Sequence, residues 1–390
     1  MPDRIPKAQA TTFREYFHNR QTELVALTRA LVEAESPSGD LAGSKAVVSL
    51  LAAAARTIPA VTAIERVASE NYGEHLRLKA FSTGGRKEEP PIVILGHTDT
   101  VHARGSLEKR PWRVEGNRAY GPGVFDMKAN CALAIETIRA LSSLNIPPSQ
   151  PLVLLLTCDE ETGSMTGRSL VETESRRSRA VLVLEPPASG GRVKTGRKGT
   201  GIFSIQTRGR AAHAGLEPEK GASAILEMAR QVDRLHGMNS RGGITVNVGV
   251  IQGGTLSNVV PAEAHAEVDV RFSTDEEGKW IEQQITNLRP FDERVQLVVR
   301  GGINRPPLER TERVVALYEH ARGVAAMFDH DLAEAQVGGA SDGNFAAAMG
   351  ASVLDGLGID GDGAHAIHEH IRLDDIPVRG AILAGLISTL

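Results

Sequence analysis

Histidine and carboxylate side chains recur in this chain at the points where apolar runs stop. PIVILG leads into His97, Thr98 and Asp99, PLVLLLTC leads into Asp159, Glu160 and Glu161, and RAVLVLE ends at Glu185. His97 and Asp99 are two apart, so on an extended chain both side chains point the same way. The carboxylate can then orient a metal-bound imidazole, or lie against the metal itself. It can equally be a capping Asp beside a solvated His. Glu160 and Glu161 are adjacent and point to opposite sides. One can hold a cation while the other acts as general base on a water whose pKa the cation lowers to roughly 7. A solvated acidic turn is the plainer alternative. Asp126 follows a Gly-Pro-Gly turn at the start of a helix, as an N-cap or as a bridging ligand with two oxygens. Glu185, before two prolines, is a ligand or a strand-end ion-pair partner. His365, His368 and His370 follow glycines that permit close backbone approach, and each is a candidate ligand. His102 carries no assigned role.

These residues need a frame. The runs HLRLKAF, PIVILG, PLVLLLTC and RAVLVLEP have strand length, and the last three are almost continuously apolar. That pattern belongs to strands buried on both faces of a mostly parallel sheet. Helical apolar spacing covers residues 13–34, 44–56 and 131–144. Alternating strands and helices predict an α/β layer, in which ligands bind beyond the carboxyl ends of the strands. Near residue 194 the pattern changes at the glycine-rich TGRKGTG. Beyond it lie a strand, a helix over 222–235, two strands of period two, a helix over 274–288 and a closing strand. This is the split βαβ order of a small inserted domain. Helices resume after about residue 305, most clearly over 310–328. The expected division is therefore 1–196, an insert at 197–304, and 305–390.

Length and composition narrow the function. The 390 residues suit two domains rather than one. A net charge of −4 offers neither a basic footprint for nucleic acid nor a polybasic membrane signal. The longest apolar stretch, residues 46–55, is too short to cross a bilayer. The first residues hold no apolar core of a secretory signal, so a cytoplasmic location is expected. Only Cys131 and Cys158 are present, with no CxxC pair, so a metal must be held by His, Asp and Glu.

Nine motifs then occur in one order: GHTDTV, YGPGVFDMK, CDEETGS, LEP, AAHAG, SNVVPA, VDVRF, GGASDGN and GAHAIHE. In this the chain resembles the glutamate carboxypeptidase, acetylornithine deacetylase and succinyl-diaminopimelate desuccinylase family of dizinc metallopeptidases. The likeness runs from about Phe13 onward and looks nearest to the bacterial glutamate carboxypeptidases. It implies a zinc exopeptidase-like α/β domain with an inserted ferredoxin-like lid. It also implies two Zn2+ per subunit, with Co2+ or Mn2+ also compatible, and a homodimer formed through the insert. One ion would be held by His97, Asp126 and Glu185, and the other by Asp126, Glu161 and His365. Asp99 would orient His97, Glu160 would be the general base, and His213 would reach the partner's site to polarise the carbonyl. Asn258, Arg271 and Arg305 would bind the substrate's carboxylate. The implied reaction is hydrolysis of an amide bond next to a free carboxylate. Deacylation or desuccinylation of a biosynthetic amine is the alternative. In one place the chain departs from the family. Two glycines usually follow DMK, and here Ala129 and Asn130 stand there, where they would narrow the pocket or redirect the helix.

Overall fold

The computed structural model describes residues 5–82, 89–240 and 242–390. They divide into two compact units. The first comprises Met1–Gly196, Arg310–Val337 and Ser341–Leu390, and the second comprises Arg197–Glu309 with Gly338–Ala340. The insert thus extends to Glu309, past the residue 304 expected from the sequence. The strand ending it runs to Arg305, and Leu308 still exchanges backbone hydrogen bonds with Arg197.

The first unit is built on six strands: β1 (Val61–Ser69), β2 (Gly73–Ala80), β3 (Ile92–His97), β4 (Leu152–Thr157), β5 (Ala180–Val183) and, late in the chain, Val353–Leu354. Their order is β1-β2-β4-β3-β5 followed by the late strand. From β4 to the late strand all pairings are parallel, whereas β1 and β2 form an antiparallel margin. Every residue of β3, β4 and β5 is buried, as their unbroken apolar runs require. Each Leu, Ile or Val so buried contributes ~1.5–3 kcal/mol of transfer free energy. That core fixes where the carboxyl ends of β3, β4 and β5 lie, and those ends carry His97, Glu160–Glu161 and Glu185.

Helices α1 (Lys7–Asn19), α2 (Gln21–Glu33), α3 (Leu41–Arg56) and α4 (Ala129–Ser143) accompany the sheet. Residues 13–34, expected as one helix, are divided at Arg20, whose backbone (φ −99°, ψ 6°) leaves the helical range. The Arg20 guanidinium turns there to Glu136 on α4, Nε to Oε1 2.9 Å, and to Glu23, Nη1 to Oε1 2.9 Å. Apolar spacing continues across the break and conceals it. The Asp40 carboxylate caps α3 by accepting from the Gly43 N–H at 2.8 Å.

The second unit runs β6 (Gly199–Arg208), α5 (Ala224–Gly237), β7 (Thr245–Gly253), β8 (Glu263–Phe272), α6 (Asp275–Thr286) and β9 (Gln296–Arg305). The sheet order is β7-β8-β6-β9, antiparallel throughout. This is the split βαβ order expected of the insert. A complete capping box, Thr274 with Glu277, starts α6. Among the described residues no helix is long and apolar enough to cross a membrane. Back in the first unit, α7 (Glu312–Ala326) and α8 (Ile376–Thr389) complete the fold, with α8 packed on α1 and α4.

Candidate metal centre

His97 is the last residue of β3, and its side chain is 1% exposed. Its Nδ1 lies 3.0 Å from the backbone oxygen of Asp99 and donates to it, leaving Nε2 facing the other way. Nε2 lies 3.1 Å from Asp126 Oδ1 and 3.4 Å from Glu185 Oε1. The second oxygen of Asp126, Oδ2, lies 3.4 Å from His365 Nε2, and that nitrogen is 3.2 Å from Glu161 Oε2. Two imidazoles and three carboxylates therefore sort into two triplets that share Asp126.

The electrostatics suit a cation. Burial disfavours a charged His97, yet hydrogen bonds to Asp126, Asp99 and Glu185 outweigh it and hold the imidazolium well above its usual range. Hydrogen bonds to Asp126 and Glu161 push His365 up to about 10. Burial raises the Glu161 carboxyl, with His365 acting against it. These protons balance the carboxylates, and divalent cations would displace them, since imidazole binds metal as the neutral base. Glu161 Oε1 is buried without a hydrogen-bond partner, an arrangement that a positive ion relieves. Ligand atoms of His97, Asp126 and Glu161 all lie within 4.8 Å of one another. The residues present therefore fit a metal.

Asp99 fixes the neighbouring turn. Its Oδ1 and Oδ2 accept the N–H groups of Glu160 and Glu161, each at 3.2 Å, and Oδ2 also accepts from Ser38 Oγ at 2.6 Å. Oδ1 lies 3.4 Å from His97 Nδ1. One carboxylate thus couples the end of β3 to the short 3-10 turn Glu160–Thr162, where Glu160 is 8% exposed.

Two anchors were not legible in the sequence. Glu369, 2% exposed, accepts from Gly123 N at 2.7 Å, Phe125 N at 2.9 Å, Asp126 N at 3.0 Å and His102 Nε2 at 2.6 Å. It fastens the Asp126 turn to the loop bearing His365. Gly123 in that turn adopts φ +72°, which glycine permits without strain. Asp342, from GGASDGN, accepts from Thr157 Oγ1 at 2.8 Å and from Ser164 Oγ, holding both flanks of the Glu160–Glu161 turn. Both residues lie in motifs, GAHAIHE and GGASDGN, but neither motif says which backbone N–H groups a carboxylate will meet.

Of the three clustered histidines only His365 meets the carboxylates. His370 is buried against the Tyr120 ring, centroids 5.1 Å apart, and His368 is exposed. His102 is the neighbour of Glu369, with Arg110 Nη2 3.2 Å from its Nδ1. Ala129 and Asn130 are wholly buried, so neither narrows an opening to solvent.

The remaining candidates lie in the second unit. His213 and Asn258 are exposed and adjacent: His213 bridges Val259, and Ala214 N donates to Asn258 O at 2.9 Å. Arg271 and Arg305 both register with Thr200, on either side of β6. Arg271 forms a fork with Asp269, 2.8 and 2.9 Å. Between Glu263, paired with Arg208, and Arg271, paired with Thr200, β8 runs for eight residues, about 27 Å at the rise of an antiparallel strand. One copy of the unit therefore holds His213 with Asn258 at one end of its sheet and the two arginines at the other.

A mostly parallel sheet whose strand ends bring imidazoles and carboxylates around a shared aspartate offers a place for metal ions. Residues 93–389 match the profile of Peptidase family M20/M25/M40. The chain belongs to that family, whose members hydrolyse amide bonds with the help of metal. It is 28% identical over 386 residues to carboxypeptidase G2 of Pseudomonas sp. strain RS-16, covering 95% of this chain and 90% of that one. It is also 28% identical to the succinyl-diaminopimelate desuccinylase of Alkalilimnicola ehrlichii, covering 78% and 85%. The fold matches a Bacillus subtilis structure described as a dinuclear metal-binding peptidase of the M20 family. The TM-score is 0.67 at 15% identity, covering 96% of this chain and all of that one.

Proposed function

We propose that this chain is a two-zinc amidohydrolase that releases an amino acid bearing a free carboxylate, such as glutamate, from a peptide, a folate-like conjugate or an N-acyl amino acid. The observation that carries the reading is Asp126, with one oxygen toward His97 and the other toward His365. In it His97, Asp126 and Glu185 hold one ion, and Asp126, Glu161 and His365 hold the other. Bound zinc would polarise the scissile carbonyl and acidify water. Glu160 takes that water's proton and returns it to the leaving amine. Asp99 keeps His97 in the tautomer that presents Nε2. Arg271 and Arg305 bind the carboxylate, for which a guanidinium fork is suited.

His213 and Asn258 act from a second copy in this reading. Two facts support a dimer through the insert. The two sets of residues sit at opposite ends of one sheet, too far apart for one copy to bring both to a small substrate. The other is β7, an edge strand with Val250 and Ile251 44% and 55% exposed, near the loop residue Leu256, 68% exposed. Bare apolar edges invite pairing. The two buried, unpaired thiols suit a reducing compartment such as the cytoplasm.

Metal analysis and a substrate panel test the proposal. Two zinc ions per chain and hydrolysis of N-acyl glutamates or related N-acyl amino acids are expected. The desuccinylase relative favours a second reading, in which the acyl fragment is recognised and the amine tolerated. Running an acyl series against an amino-acid series on one preparation decides between them. A metal-loaded protein that cleaves neither series refutes both.

A further inference from the structure

We infer that Asn130 is a positioning residue that braces the Asp126 turn against the segment paired with Glu185. The inference rests on the two-ion reading above.

Asn130 is the second residue of α4 and is wholly buried. Its Oδ1 accepts from the Ile359 N–H at 2.9 Å. Its Nδ2 points at the backbone oxygen of Phe125, the residue before Asp126, at 3.4 Å, a long and weaker contact. On the far side, residues 357–359 run beside the end of β5. Leu357 N donates to Val183 O at 3.2 Å and Gly358 N to Glu185 O at 3.1 Å. The Ile359 N–H turns the other way, toward Asn130. A single amide thus spans the space between two backbone segments, each next to a carboxylate assigned to the same ion.

The fit is mutual. A Cβ on Gly358 would stand 2.3 Å from Asn130 Nδ2 and 2.6 Å from its Cγ. Gly358 has no left-handed φ, and the three atoms nearest to such a Cβ all belong to the Asn130 amide. With glycine at 130 the Ile359 N–H would lose its acceptor and the gap would open. Groups that hold ligands in place without touching the metal typically change affinity by ~10–100-fold when removed.

Asn130→Gly is therefore expected to raise the dissociation constant of one ion by ~10–100-fold and that of the other by much less. The visible spectrum of the cobalt-substituted protein should change as well, because the geometry of one site is altered. A second measurement needs no metal. Gly358→Ala should lower the Tm of the metal-free wild-type chain by several degrees, and by clearly less in the Asn130→Gly background. Unchanged affinities and cobalt spectrum in Asn130→Gly overturn the positioning role. An equal Tm loss in both backgrounds overturns the brace itself. Wild-type protein that binds fewer than two ions overturns the two-ion reading alone, and the melting cycle still decides whether Asn130 fills the gap.

Discussion

At the residue scale, Glu160 and Glu161 are neighbours with different surroundings. Asp99 accepts the backbone N–H of both, but only the Glu161 carboxylate lies against His365, at 3.2 Å. Under the proposed mechanism Glu160→Ala should lower kcat by ~10²–10⁴-fold while both ions stay bound. Near-normal turnover in metal-loaded protein would remove Glu160 from the mechanism. The thiols give a pH prediction. Cys131 and Cys158 are buried, and burial pushes both thiols from the ordinary 9.0 up to about 12. Between pH 9 and 12 the unfolded chain releases these protons and the folded chain keeps them. Stability contributed by the two groups is present below pH 9 and falls as pH rises above it. Denaturant melts at pH 8 and pH 10 should show that fall, and a double Cys→Ser variant should show less of it. Alkylation of the native protein at pH 8 should be far slower than of the unfolded chain. The chemistry-bearing residues were legible because acids and histidines at strand ends are conspicuous against apolar runs. Glu369 and Asp342 were not, because their partners are backbone amides brought close only by folding.

At the element scale, short turns at the ends of rigid strands carry the site, and single carboxylates hold those turns. Replacing Glu369 with Ala would leave three buried N–H groups and the His102 ring without their acceptor. Each such loss costs ~1–3 kcal/mol, so a total above ~3 kcal/mol is expected in equilibrium unfolding. Glu369→Gln, which keeps one acceptor oxygen, should lose less. An Ala variant as stable as wild type would mean that the Asp126 turn is held by other contacts. Strands were easier to read than helix ends. The apolar runs of β3, β4 and β5 were plain, whereas the break at Arg20 follows from a partner on α4 that the local pattern does not contain. The strand β1 escaped notice because it lies at the sheet margin and is only half-buried.

At the scale of the whole molecule, the proposed dimer makes a prediction that single-chain reasoning does not. If His213 serves the partner's site, then Glu160→Ala and His213→Ala proteins, each nearly inactive, should complement one another. Mixed under exchange, half the dimers would hold one chain of each kind and one intact site of two, so roughly a quarter of wild-type activity should return. No recovery would place His213 outside the partner's site. Ile251→Lys on the exposed edge of β7 should shift the protein toward monomer in light scattering. The sequence showed where an insert begins through its change of period. It said less about which faces associate, because edge strands and core strands can share the same alternation.

The chain enters the second unit near residue 197 and leaves it only near residue 309. This path has a consequence for synthesis. His97, Asp126, Glu161 and Glu185 emerge from the ribosome together with the strands that hold them. His365 follows about 180 residues after Glu185, which at ordinary elongation rates is a delay of roughly 9–36 s. Through that interval the nascent chain presents a half-assembled cluster of carboxylates around one imidazole. A cation captured then would meet only the proposed His97, Asp126 and Glu185 set, its Asp126 turn still without Glu369, so the His365 side would be the last to gain its ligands.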